Sequence, residues 1–181
     1  MDLINSYAVV AYVAGPVARF ADRLRRELSP GCPHRAHITL LTPRPLCCST
    51  SEAIDFARHQ VAQFEPFDVR FGGIEQFQQT QVIYLSLASG ARELRVIHDV
   101  LNSGLIKQPD LYTYTPHITL GQLLAPGSFE SSLELARRRW EQFGPPPGLH
   151  VESLTFVQQN ADGCWKDIGE LALGHRVTAV G

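Results

Sequence analysis

The spacing of apolar residues changes several times along the chain, and each change marks an element. Tyr7–Ala14 (YAVVAYVA) is a continuous β-branched and aromatic run, the pattern of a strand buried on both faces. Gly15-Pro16 ends it and opens a predicted helix, Pro16–Leu28, whose Val17, Phe20, Leu24 and Leu28 share one stripe. Arg19, Arg23 and Arg26 fall on the other face, read as a solvated surface, with a phosphate-backbone contact as the alternative. Ala36–Leu41 reads as a second strand, stopped by Pro43 and Pro45. Ser49–Phe64 has helical spacing at Ile54, Phe56, Val61 and Phe64, with Ser51 as candidate cap.

Phe67–Phe71 and Val82–Leu87 read as strands, separated by Gly72-Gly73 and a Gln-rich polar stretch. Ala91–Leu105 carries Leu94, Ile97, His98 and Leu101 on one helical stripe, with Gly104 near its end. Pro116 leads into a strand at His117–Gln122, followed by a helix over Ser128–Phe143 and a Gly-Pro-Pro-Pro-Gly breaker at 144–148. Val151–Val157 and Cys164–Leu173 form a final hairpin around Asn160–Gly163. Helices alternating with single strands and hairpins predict an α+β fold. After the first strand the string α-β-α-β-β occurs twice, which predicts two lobes.

One short motif is repeated within that string. Residues 37–40 read His-Ile-Thr-Leu, and residues 117–120 read the same, 80 positions later. On a strand, side chains alternate between faces. His37 and Thr39 then share one face, and so do His117 and Thr119. Ile38, Leu40, Ile118 and Leu120 point the other way, into a core. If the lobes meet about a pseudo-twofold axis, two imidazoles and two hydroxyls face one groove. Imidazole titrates near neutrality, so one copy can serve as base and the other as acid. A Thr hydroxyl can donate to a non-bridging phosphoryl oxygen. Opposed base and acid with oxygen clamps between them suit in-line displacement at phosphorus. Such chemistry requires neither a metal nor a Ser or Cys nucleophile.

Composition narrows the partners. The 181 residues carry 16 Lys+Arg and 18 Asp+Glu, a net charge of -2, so any RNA contact is local rather than a basic coat. No apolar run approaches the roughly 20 residues of a membrane helix. Asp2 and Asn5, rather than Lys or Arg, precede the first apolar run, unlike a signal peptide. Cys32, Cys47, Cys48 and Cys164 form no CxxC pair and are read as reduced thiols, which points to the cytoplasm. His34 and His37 make an HxxH, but strand geometry separates their faces and no carboxylate is near in sequence, so no metal and no cofactor is expected. His59, His98, His150 and His175 have no partner pattern and read as structural or exposed. Arg137-Arg138-Arg139 reads as a solvated charge run.

The doubled His-x-Thr-x pattern resembles the 2H phosphoesterase superfamily, and most nearly its LigT-like group, the RNA 2',3'-cyclic phosphodiesterases also called 2'-5' RNA ligases. Tyr-Thr-Pro-His-Ile-Thr-Leu-Gly around His117 is similar to the family's second motif. The first motif matches at residues 37–40 and departs over Leu41-Thr42-Pro43-Arg44-Pro45, which bears on substrate more than on chemistry. The resemblance implies a bilobal duplicated α+β fold, one domain over residues 1–181, with two antiparallel sheets lining a central groove and helices outside. It implies hydrolysis of a 2',3'-cyclic phosphate on an RNA end or a small nucleotide. His117 would activate water, His37 would protonate the leaving oxygen, and Thr39 and Thr119 would hold the phosphate. Arg44, just past the first tetrad, is a further phosphate-contact candidate, a plain exposed Arg being the alternative. Among Tyr7, Tyr12, Tyr112, Tyr114 and Trp165, the pair Tyr112 and Tyr114 are the favoured base-stacking candidates, with packing as the alternative. Two other readings stay open: a nucleotide or RNA-end binding module without turnover, and 2'-5' ligation by the reverse reaction.

Overall fold

A computed structural model describes residues 3–31, 34–144 and 146–174. The expectations placed on Asp2, Cys32, Pro145 and His175 lie outside the described residues. The elements in chain order are β1 (Leu3–Tyr12), α1 (Gly15–Leu28), β2 (His37–Arg44), α2 (Thr50–Val61), β3 (Phe67–Phe77), β4 (Val82–Ser89), α3 (Ala91–Leu101), a short 3-10 turn (Gly104–Ile106), β5 (Ile118–Gly121), α4 (Phe129–Phe143), β6 (Leu149–Val151), β7 (Ser153–Asn160) and β8 (Trp165–Ala172).

All the strands belong to one antiparallel sheet, in the order β6-β3-β4-β5-β2-β1-β7-β8. This corrects the expectation of two separate sheets. Each half has four strands, and the halves join where β2 and β5 meet at one registered pair, Ile38 opposite Ile118. The strand expected over Val151–Val157 is two strands that break at Glu152. β6 pairs with β3 at one edge of the sheet, while β7 pairs with β1 near the other. In a flat sheet those positions would lie about 29 Å apart at ~4.8 Å per strand. One intervening residue spans no more than about 7 Å. The sheet therefore curls strongly on itself, with the β2–β5 join at its middle.

Several other boundaries moved for local reasons. Gly72-Gly73 does not end β3. The strand runs on through an irregularity between Phe71 and Ile74, because Ser86 Oγ bonds both the amide (3.1 Å) and the carbonyl (3.0 Å) of Gly73. Ser49, not Ser51, caps α2. Its hydroxyl accepts from the Glu52 amide at 3.3 Å, and the Glu52 carboxylate accepts from the Ser49 amide at 2.9 Å.

The two sheet faces do different jobs. Tyr7, Val9 and Ala11 of β1 join Ile38, Leu40, Ile118 and Leu120 in the main core, beneath Val17, Leu24, Leu94 and Leu133 of the helices. Ala8 and Val10, the alternate residues of β1, form a second, smaller apolar cluster with Val157, flanked by Tyr12 and Trp165. That explains why the β1 run is apolar on both faces. One face builds the fold, and the other builds an apolar floor in the groove.

Candidate active site

The Ile38–Ile118 pair sets the geometry of the site. Continuing this antiparallel register by one residue puts His37 opposite Thr119 and Thr39 opposite His117. Ile38, Leu40, Ile118 and Leu120 are all fully buried, so the His and Thr side chains between them face the other way, half-buried, as the alternation predicts. Each imidazole thus has the other motif's hydroxyl as its cross-strand neighbour. The two His residues are diagonal neighbours, a relation that separates Cα atoms by roughly 7–8 Å. That leaves room for a tetrahedral phosphate.

Both rings are fixed in the same way. His37 Nδ1 lies 2.6 Å from the Arg35 carbonyl oxygen, and His117 Nδ1 lies 2.6 Å from the Thr115 carbonyl oxygen. A carbonyl only accepts, so each Nδ1 carries the hydrogen and donates it. Nε2 is then the working nitrogen: a lone pair when the ring is neutral, a proton donor when it is charged. Burial lowers the pKa of His37 to about 4. The Arg35 carbonyl opposes that shift, and the charges of Arg25, His34 and His117 reinforce it. Burial also lowers His117, again against its carbonyl partner and with Arg25 adding to the shift. Both rings are therefore neutral bases at pH 7.

The surroundings of the two rings differ. A groove of about 340 Å³ opens beside His37, Thr39 and Thr119 over the floor of Ala8, Val10 and Val157. His34 stands edge-on to His37 at 6.2 Å, and Trp165 Nε1 donates to His34 Nε2 at 2.9 Å. The Arg35 guanidinium lies 3.8 Å over the Tyr12 ring. The Tyr12 hydroxyl donates to Asp167 at 2.7 Å, and Arg35 pairs with the same carboxylate at 2.7 Å. His117 instead packs against an aromatic pair. Phe77 lies edge-on at 5.1 Å and Tyr84 lies at 5.0 Å, the two stacked on each other at 4.2 Å.

Several site candidates from the sequence are placed elsewhere. Arg44 is 5% exposed, donates to Asn102 at 2.9 Å and pairs with Asp110 at 3.2 Å. It is a buried structural cation and does not line the groove. Tyr114 stacks flat on His98 at 4.0 Å, and its hydroxyl donates to the Thr39 carbonyl at 2.9 Å. It therefore braces β2 from behind instead of offering a ring face to a base. Tyr112 is 65% exposed in the loop before β5 and does not line the groove either. Tyr12 and Trp165 supply the aromatic surface that had been expected of Tyr112 and Tyr114. His34 and His37, expected on different faces, both line the groove. Among the described residues no cluster of three or more His, Cys, Asp or Glu could hold a metal ion. Nor is any described helix long and apolar enough to cross a membrane.

Arg25 is the residue that the sequence reading missed. It is 3% exposed, yet its side chain reaches from α1 to the groove. Val17, Ala21 and Arg25 follow at intervals of four on the buried stripe of α1. A charge on an apolar stripe was the available signal.

Known proteins share this fold and sequence pattern. A protein of Bacillus cereus with a provisional phosphoesterase name is 25% identical over 162 residues, covering 87% of this chain and 90% of its own. A crystal structure of E. coli LigT complexed with NADP+ superposes with a TM-score of 0.66 at 15% identity, covering 96% of this chain and 100% of LigT. Kluyveromyces marxianus Usb1 with uridine monophosphate superposes with a TM-score of 0.53 at 10% identity, covering 93% and 98%. The model of the 2'-5' RNA ligase superfamily matches residues 13–163, both tetrads included, and the chain belongs to that family of phosphoesterases and ligases.

Proposed function

We propose that the protein opens a 2',3'-cyclic phosphate on a nucleotide or RNA end by metal-independent hydrolysis, with His37, Thr39, His117 and Thr119 as its catalytic set. The observation that carries this reading is the register at Ile38–Ile118, which brings both motifs to one face in antiparallel order. The cyclic phosphate lies between the rings, its non-bridging oxygens accepting from the Thr39 and Thr119 hydroxyls. His117 Nε2 takes a proton from water as the water oxygen attacks phosphorus. On the opposite side the P–O3' bond breaks, and the 3' oxygen takes a proton from His37 Nε2. The product is a 2'-phosphate with a free 3'-hydroxyl, and proton exchange with solvent resets the two rings.

The unequal walls support these roles. The leaving oxygen stays attached to the nucleoside, which needs space. The groove opens beside His37, over an apolar floor with Tyr12 and Trp165 at its side. Water needs little space, and the aromatic pair leaves little around His117. Burial holds the His37 pKa near 4. An anionic phosphate beside the ring favours its charged form, so His37 takes up a proton from solvent as substrate binds and then holds it for the leaving oxygen. Nucleotides in the LigT and Usb1 crystals, including 3'-AMP in LigT, support a ligand of this class.

The test is hydrolysis of 2',3'-cyclic AMP and of a cyclic-phosphate RNA end with excess chelator, products resolved as 2'- or 3'-phosphate. The expected outcome is the 2'-phosphate, with a loss of about 10²–10⁴-fold on replacing either His. Undiminished turnover in both His37→Ala and His117→Ala would exclude this mechanism.

A further inference from the structure

We infer that Arg25 is the positioning residue that holds the two His-x-Thr motifs at their working separation, by clipping the Thr119 carbonyl to the segment that leads into His37. The inference rests on the catalytic set proposed above. Arg25 Nε donates to the Thr119 carbonyl oxygen at 2.9 Å, and Nη2 donates to the same oxygen. Nη1 donates to the His34 carbonyl at 3.1 Å and to the Arg35 carbonyl at 3.3 Å. One planar guanidinium thus joins the backbones on both sides of the sheet's narrow join.

The Arg35 carbonyl is the central atom of this arrangement. It accepts from Arg25 and also from His37 Nδ1, so its two lone pairs serve both. Any movement of this oxygen turns the His37 ring and releases its tautomer. The other end of the clip is the backbone of Thr119, the residue whose hydroxyl stands opposite His37 by register. β2 and β5 share only the Ile38–Ile118 pair, so the ladder alone gives little control over their spacing. One turn along α1, Ser29 Oγ repeats the device, donating to the Gln122 carbonyl at 2.8 Å and accepting from the Gln122 amide at 3.2 Å. The C-terminal end of α1 therefore serves as a splint along the exit of β5. Arg suits this place and Lys does not, because only a rigid fork of donors spans carbonyls on β5 and on the segment before β2.

The fixed charge has a second consequence. Arg25 acts on His34, His37 and His117 alike, in each case lowering the affinity for a proton. A phosphate between the rings meets the same charge with the opposite sign of interaction. Other charged or titratable groups facing His37 are His34 and Arg35 from the preceding segment, Tyr12 from β1, Asp167 from β8 and His117 before β5. Asp22 of α1 binds the Ala36 amide at 2.7 Å. Tyr84 stands on the His117 side, bonded to Glu75 at 3.0 Å.

The experiment compares the full chain with Arg25→Met and Arg25→Lys, by thermal unfolding, imidazole NMR and kcat and KM on 2',3'-cyclic AMP. Nitrogen shifts report the tautomer of His37, and ring-proton shifts follow its titration and that of His117. In Arg25→Met the expected result is a mixed His37 tautomer, upward-shifted midpoints for both rings, and kcat down about 100-fold with KM moving less. Arg25→Lys keeps the charge but not the fork, so midpoints stay near wild type while the tautomer mixes and kcat falls. A folded Arg25→Met with wild-type tautomer, midpoints and kcat would overturn the inference. If the Met variant does not fold, Arg25→Lys alone answers: a fixed His37 tautomer with full kcat overturns the positioning role. Should the wild type prove inactive on cyclic phosphates, the proposed function fails, and the tautomer and titrations still judge Arg25.

Discussion

The His37 motif and the His117 motif are built on one backbone plan and differ in what surrounds them. In both, Nδ1 donates at 2.6 Å to the carbonyl two residues earlier, and in both an Ile and a Leu anchor the strand in the core. Around that shared frame, His37 has an open groove with an apolar floor, whereas His117 has Phe77 and Tyr84 against its ring. Duplication supplies two equivalent imidazoles. In the proposed mechanism the unequal walls give them different work, with the nucleoside on the His37 side.

The sharpest way to break this comparison is to change the leaving group. His37→Ala and His117→Ala should each lose about 10²–10⁴-fold on a cyclic nucleotide. On a nucleotide diester with a nitrophenol leaving group, which departs without a proton, His37→Ala should recover most of its rate and His117→Ala should not. Recovery in the reverse pattern would exchange the two roles. Thr39→Val and Thr119→Val remove one phosphate donor each, and steady-state kinetics should show kcat falling by about 10²-fold in both. A loss confined to one of them would mean that the phosphate is held from one side.

The walls themselves come next. Trp165→Ala should weaken AMP binding, measured calorimetrically, by about 1–3 kcal/mol, the range for a stacked base. Phe77→Ala, on the other wall, should leave AMP affinity nearly unchanged and lower kcat. Equal effects on affinity would erase the proposed division.

The smallest effect concerns pH and stability. The ordinary His value of 6.5 falls to about 4 for His37 in the folded chain, so the unfolded chain binds more protons between those values. Stability from this group is complete above pH 6.5, declines as pH falls toward 4, and is flat below. Thermal unfolding of His37→Gln should show a shallower slope across that window than the wild type.

Much of this arrangement was legible in the primary structure because it depends on neighbours along the chain. The alternation in His-Ile-Thr-Leu requires only the period of a strand. The α+β order follows from apolar spacing and from breakers such as Gly15-Pro16. Arg44 and Tyr114 were misread because their partners are distant in sequence. Asp110 lies 66 residues from Arg44, and Thr39 lies 75 residues from Tyr114. A charge or ring facing a groove and one facing a buried partner look alike in a linear pattern.

Local spacing alone determined two matched strands, each with its imidazole and hydroxyl on one face and its aliphatic anchors on the other. Tertiary structure decided the rest: that the halves fuse into one curled sheet, that Tyr12 and Trp165 form the groove's aromatic side, and that Arg25 reaches its lining. The physical reason is range. Side-chain direction along a strand is set by bonded geometry within two residues, whereas burial, cross-strand register and electrostatic environment are set by contacts between segments far apart in the chain.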